Sequence, residues 1–205
     1  MLGRFVCPAS RLAELPDVGR GVSVVLDAAV PDDPRVEAVE TYPYFDPGAG
    51  SAGVPPASHL YVETALDGDL EDRLDHLAEF GLNAKVRCGG PTMPDTAALT
   101  EFVRACRARG IPFKATAGLH HAVRADSEHG FLNLLAAVVF GDEEAALTES
   151  DPAVFALDPE KFSWRGRQAG PDELVRVRSE RLHSIGSCSF FEPVEELEKL
   201  GMLPL

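Results

Sequence analysis

Basic residues are in short supply. The 205-residue chain carries 19 Lys and Arg against 33 Asp and Glu, a formal net charge of −14. Such a surface lacks the clustered cations that nonspecific nucleic-acid binding requires and is repelled by anionic lipid, so neither partner is expected. Long apolar runs are also missing. None approaches the ~18 residues of a membrane span, and the longest, Phe131–Phe140, is broken by Asn133. Cysteine is sparse: Cys7, Cys88, Cys106 and Cys188, with no CxxC spacing. Met1-Leu2-Gly3-Arg4 runs straight into Phe5-Val6-Cys7 without the apolar stretch of a secretory leader. Together these features predict a reducing, cytoplasmic setting with free thiols. No GxGxxG or GxxxxGK[ST] follows the first clear strand, which weakens a nucleotide-binding open sheet. No HxH, HExxH or Cys/His pair spacing supports zinc, and no metal or cofactor is expected.

What is present is alternation. Short apolar, β-branched runs predict strands at 3–7, 22–27, 36–42, 60–65, 84–88, 113–117 and 185–189, the 36–42 run also fitting a helix because Val alternates with Glu. Their near-continuous apolar character is that of parallel strands covered on both faces. Between them lie helical patterns. Leu70, Leu74, Leu77 and Ala78 mark one face, with Asp69 as cap and Gly81 as stop; Asp95 and Gly110 bracket the next. Further helices are expected at about 130–140, at 171–182 and from Pro193 to before Gly201. Residues 47–58, rich in Gly, Pro, Ala and Ser, read as a loop, and 142–170 as helices and loop over the strand ends. The whole, 1–205, reads as a single (β/α) domain, α/β in class, with parallel strands in a barrel-like arrangement. An eight-stranded barrel usually needs ~250 residues. The expectation is therefore an incomplete TIM barrel, lacking an N-terminal unit or completed by a partner copy, and hence a homo-oligomer.

Polar side chains fall at strand ends in matched parity. Tyr61 and Glu63 share one face of their strand, Lys85 and Arg87 one face of the next, and Lys114 and Thr116 one face of the next again. Burying a lone Lys costs several kcal/mol, on the order of a lost ion pair, unless it is paired. Lys85, Arg87, Lys114 and Glu63 are thus expected to converge on one cavity able to read a small anionic molecule and move protons, or else to form a structural ion-pair network. After Gly118 come His120, His121 and Arg124, with His129 close behind. Ser187 lies in a small-residue run, Gly186-Ser187-Cys188-Ser189, that can bring backbone N–H groups to an anion. Cys188 reads as a small buried thiol before a nucleophile, and Asp27 as an acid or a cap.

Phe113-Lys114-Ala115-Thr116-Ala117-Gly118 resembles the lysine strand of the deoxyribose-phosphate aldolase family, and Leu60-Tyr61-Val62-Glu63-Thr64 looks like an earlier strand of that barrel. The resemblance implies a class I lyase in which Lys114 forms a Schiff base with a carbonyl substrate. Lys85 or Arg87 would then favour the neutral amine, Glu63 or His120 would move protons, and Arg87, Thr116, His121, Arg124 and Ser187 would bind the substrate. The chain as a whole resembles a group of uncharacterised bacterial proteins that share the segments Lys85-Val86-Arg87-Cys88-Gly89-Gly90, Phe113 to His121, His129-Gly130-Phe131-Leu132-Asn133 and Gly186 to Phe190. Two other readings compete: a metal-dependent hydrolase or isomerase using His120, His121 and His129 with Asp27 or Glu63, and a non-catalytic binding protein whose charged cluster is structural.

Overall fold

The structure, a computed structural model, describes residues 3–30, 32–41, 59–91, 93–187, 189 and 191–203. The loop expected at 47–58 and Cys188 lie outside them.

Seven parallel strands form one sheet in the order β1 (Phe5–Pro8), β2 (Val22–Val25), β3 (Val36–Glu40), β4 (His59–Glu63), β5 (Asn83–Cys88), β6 (Phe113–Gly118) and β10 (Leu182–Ile185). The sheet curls into a half-barrel flanked by helices, as an incomplete barrel should. Strand order follows chain order because each connection returns the chain to the next position along the curl. Alternation places Val22, Val24, Val39, Leu60, Val62, Ala84, Val86, Phe113 and Ala115 on the convex face, all buried. There they meet α1 (Leu70–Glu79) through Leu70, Leu74 and Leu77, and α2 (Thr96–Arg109) through Leu99, Phe102, Val103 and Cys106. Phe102 stands edge-on to Phe113, with ring centroids 5.2 Å apart.

The helix ends follow local chemistry. Asp95 accepts a hydrogen bond from the Ala98 amide at 2.8 Å, and Gly110 closes α2 at φ +65°, a conformation that glycine adopts without strain. Asp69, the expected cap of α1, makes no side-chain capping bond. The strand–helix alternation also starts later than expected. Among the described residues β1 leads to β2 through a single 3₁₀ segment, Ala9–Glu14, and the first α-helix follows β4.

Two stretches differ from expectation. Residues 142–170 hold the short helix α4 (Glu143–Thr148) and then a three-stranded antiparallel meander: β7 (Phe155–Asp158), β8 (Lys161–Trp164) and β9 (Arg167–Ala169). Trp164 faces Arg167 across Arg165 and Gly166, whose φ values of +49° and +76° make the two-residue turn whose twist suits a hairpin. Phe162 and Trp164 stack on Phe140 at the end of α3 (Phe131–Phe140), so the meander covers the helix layer rather than the strand ends. The final strand is Leu182–Ile185 instead of 185–189, because α5 (Pro171–Glu180) stops earlier than the apolar pattern implied and a register shift interrupts the pairing with β6. No helix among the described residues is long and apolar enough to cross a membrane.

Candidate functional site

The concave face of the half-barrel is polar. Glu63, Lys85 and Lys114 stand at one level on three adjacent strands, Glu63 opposite Lys85 and Lys85 opposite Lys114. All are buried, Lys85 and Lys114 at 3 % and 4 % exposure. Glu40 from β3, 2 % exposed, reaches the same spot, and sequence reasoning had not singled it out. The Lys114 ammonium donates to Glu40 Oε1 at 2.5 Å, and Ser23 Oγ donates to the same oxygen at 2.7 Å. Lys85 Nζ stands 3.7 Å from Glu40 Oε2 and 2.9 Å from Glu63 Oε2. The second approach is an ion pair without a hydrogen bond: Glu63 Oε2 receives none despite the short distance, so the amine lies off the bonding direction. One carboxylate thus serves two amines, which brings Lys85 and Lys114 well inside the ~10 Å range of screened coupling.

Burial pushes the Lys114 amine below the ordinary lysine pKa; Glu40 opposes this, while Lys85 and Arg4 add to it. Burial works against ionised Glu40 too, but Lys114, Ser23 and Lys85 outweigh it and hold its carboxyl below the usual range. The consistent state near neutral pH is an ion pair whose amine is released more readily than that of a free lysine.

Below the lysines, the Tyr61 ring centroid lies 5.4 Å from Lys114 Nζ. Its hydroxyl meets His183 Nδ1 at 2.8 Å, and His183 Nε2 meets the Ser179 carbonyl at 3.0 Å. A carbonyl only accepts, so Nε2 carries the proton and the Tyr61 hydroxyl donates to Nδ1. Arg4, just before β1, also bonds Tyr61. Residues next to both edges of the half-barrel therefore meet on one buried side chain.

Above the lysines, toward the C-terminal rim, Arg87 faces Thr116. Arg87 is half-buried and has no ion-pair partner among the described residues, whereas each lysine below it has one. Thr116 Oγ1 donates to the Val86 carbonyl at 3.3 Å. The chain then turns through three successive residues with positive φ, Ala117, Gly118 and Leu119 at 59°, 61° and 52°. Gly89 packs so closely on this turn that a Cβ there would come within 2.6 Å of Gly118 Cα.

The remaining candidates disperse. His120 Nδ1 meets Glu192 at 2.6 Å and Ser187 Oγ at 3.4 Å. His121 Nδ1 meets Glu196 at 2.6 Å. Both carboxylates come from α6 (Phe191–Lys199). Arg124 turns to Thr96 at the start of α2, 3.0 Å away. His129 is buried with Nε2 on the Pro94 carbonyl at 2.8 Å. Asn133 accepts from the Arg124 amide and donates to the carbonyls of Ala146 and Glu149, which gives the segment from His129 to Asn133 a structural task. Asp27 accepts from the Ser10 amide and hydroxyl at 2.9 and 2.6 Å. Cys7, Cys88 and Cys106 are free and buried, and burial pushes the Cys88 thiol up to about 12. Among the described residues no group of three or more His, Cys, Asp or Glu stands together as a metal site. A cavity of about 310 Å³ opens elsewhere, among α2, α3 and α5, where Arg107 and Glu143 already pair at 2.6 Å. It lies outside the lysine cluster.

The chain matches no protein-family model, and a search of curated proteins gives no match.

Proposed function

We propose that the chain is an aldolase-type lyase with an incomplete TIM barrel, acting on a small anionic carbonyl or sugar-like compound. The observation that carries the reading is the shared carboxylate: Lys114 and Lys85 both stand on Glu40 inside the half-barrel. Glu40 accepts the Lys114 proton, the freed lone pair of Nζ forms a bond to the substrate carbonyl carbon, and the carbonyl oxygen takes the proton from Glu40. Loss of water from this adduct leaves a protonated Schiff base. That cation draws in the electrons of the substrate's Cα–Cβ bond as it breaks, leaving an enamine on Lys114. The departing fragment's hydroxyl gives its proton to Glu63 or, nearer the rim, to His120, and the fragment leaves as a carbonyl. The proton then returns to the enamine carbon, and water hydrolyses the resulting iminium to release the second product and the Lys114 amine. Lys85 remains charged and discourages reprotonation of Lys114. Arg87, which has no carboxylate partner among the described residues, takes the anionic group of the substrate, with Thr116 opposite it on β6 and Ser187 at the rim beside His120.

Borohydride added with a panel of small aldehydes and ketones, some carrying phosphate or carboxylate, should leave a reduced adduct that peptide mapping finds on Lys114. Lys114→Met should abolish it. Absence of any adduct at Lys114 across the panel would sink the reading.

A second reading rests on a different observation. Glu40 and Glu63 balance Lys85 and Lys114 in formal charge, and all four are buried, as in a purely structural network. It predicts no adduct, together with full recovery of stability when Glu40 and Lys114 are replaced together by apolar residues. For either reading the edge strands β1 and β10, unpaired on their outer sides among the described residues, and the exposed Phe5 and Val6 favour self-association, which light scattering would detect as a mass above that of the 205-residue chain.

A further inference from the structure

Helix α6 is held to the body in an unusual way. None of its residues is buried, although Leu197 and, just beyond it, Leu200 lean on the core. Its sequence carries Glu192, Glu195, Glu196 and Glu198 against the lone Lys199, and the protein it docks on is itself strongly acidic. Two of these carboxylates, spaced i and i+4 and so on one face, meet two consecutive histidines: Glu192 on His120 and Glu196 on His121, both at 2.6 Å. Glu196 also accepts from the Ala122 amide. His120 and His121 follow the C-terminal end of β6, and α6 follows that of β10, so the helix bridges the rim loops of two adjacent strands.

The groups facing these imidazoles are almost all anionic. From α6 come Glu192 and Glu196. From the loop after β6 come Glu128, 3.6 Å from His121 Nε2, and Asp126. From the loop after β10, among the described residues, comes the neutral Ser187, beside His120. With His121 neutral, Glu196 would confront Glu128 and Asp126 without the imidazolium between them.

We propose that α6 is a proton-controlled strap, closed across the ends of β6 and β10 through Glu196 while His121 is imidazolium and released when that ring loses its proton. The bond to Glu196, with lesser help from Glu128 and Asp126, raises the His121 pKa above the ordinary histidine value. The sign follows: the strap's hold is complete below the ordinary value of 6.5 and fades as pH climbs through the raised one. The strap stands whether or not Lys114 forms a Schiff base.

Hydrogen exchange of the full chain at pH 6 and pH 8, corrected for base-catalysed exchange, tests this. Peptides from α6 should lose protection by about threefold or more at pH 8 while those from α2 hold theirs, a contrast within the usual spread of local opening energies. His121→Asn should give the open, pH-independent pattern. His121→Lys keeps a cation at both pH values and should keep α6 closed at both, which separates loss of charge from a folding defect. Wild-type α6 with equal corrected protection at the two pH values, or His121→Asn with the wild-type pH response, would overturn the proposal.

Discussion

On the convex face of the sheet, Val39, Val62, Val86 and Phe113 meet Leu74, Leu99 and Phe102 through apolar contacts alone. On the concave face of the same strands, Ser23, Glu40, Glu63, Lys85 and Lys114 meet one another. Both sets are buried to a similar degree, yet burial stabilises them differently. Each fully buried aliphatic or aromatic side chain outside contributes roughly 1.5–3 kcal/mol by leaving water. Inside, four charges give up their hydration and recover about what they lost only while every partner is in position. The outer face therefore tolerates substitution in proportion to the volume removed. The inner face responds to the loss of one charge as a unit, and a fold that retains such a cluster in a strand layer otherwise suited to Val and Leu carries it for specificity or for chemistry.

The sharpest way to break the contrast is Glu40→Gln. It leaves Lys114 and Lys85 without their shared carboxylate, and breaking a buried pair from one side costs about 3–5 kcal/mol. Urea unfolding at pH 7 should show this. Glu40→Gln combined with Lys114→Met should recover a large part, because no uncompensated charge remains from that pair. Acid should reveal the same residue. Glu40 has a folded pKa below its ordinary 4.5, so its stabilisation is present above 4.5 and is lost as pH falls through the lower folded value. The Glu40→Gln variant should lose less stability than wild type across that window. Equal acid sensitivity in the two proteins would show that the cluster is not coupled to folding.

On the convex face, Leu99→Ala should cost about 2–5 kcal/mol by opening a void beneath α2. No second-site change of charge should repair it, and its cost should be the same at pH 5 and pH 8. A Leu99→Ala effect that varies with pH would mean that the two faces are not independent.

Much of this contrast is written in the sequence as parity. Lys85 and Arg87, Lys114 and Thr116, Tyr61 and Glu63 each lie two apart on a strand, and the register of β4, β5 and β6 brings Glu63, Lys85 and Lys114 level. Glu40 escaped because the Val–Glu alternation of 36–42 fits either period, and because a carboxylate is recognised as a partner only once its strand's neighbours are known. Arg165-Gly166 was a hairpin signal hidden in a stretch of mixed character; Phe162 and Trp164 on alternate positions were its second half. His183 was hidden by a helix pattern running on to Leu182, where the chain instead begins β10. His120 and His121 were visible as a cluster, but their partners lie some seventy residues away on one face of α6. Spacing within a segment reveals which side chains share a face; it does not reveal which face meets which.

The smallest effect is expected at the bottom of the half-barrel, where the two faces' logics meet in one residue. Tyr61 is 1 % exposed and packs its ring like a core residue, yet its hydroxyl donates to His183 Nδ1 at 2.8 Å. Tyr61→Phe keeps the ring and deletes that bond. It also removes the oxygen that Arg4 contacts. A single neutral hydrogen bond contributes about 0.5–1.5 kcal/mol net, so a loss of about 1 kcal/mol is expected at pH 8. The pH profile should change as well. Burial holds the His183 pKa below its ordinary 6.5, with His59 and Arg4 adding to the lowering against the Ser179 bond. Stability linked to this residue is therefore complete above 6.5 and declines as pH falls through the lowered value. In wild type, protonating Nδ1 must displace the Tyr61 hydroxyl; in Tyr61→Phe it need not. The variant's His183 should then titrate at higher pH, followed by its imidazole NMR resonances, and its stability should fall less steeply between pH 6.5 and pH 5. A variant that titrates as wild type would mean that the Tyr61 hydroxyl does not hold His183 neutral, and that the two edges of the half-barrel are joined there by packing alone.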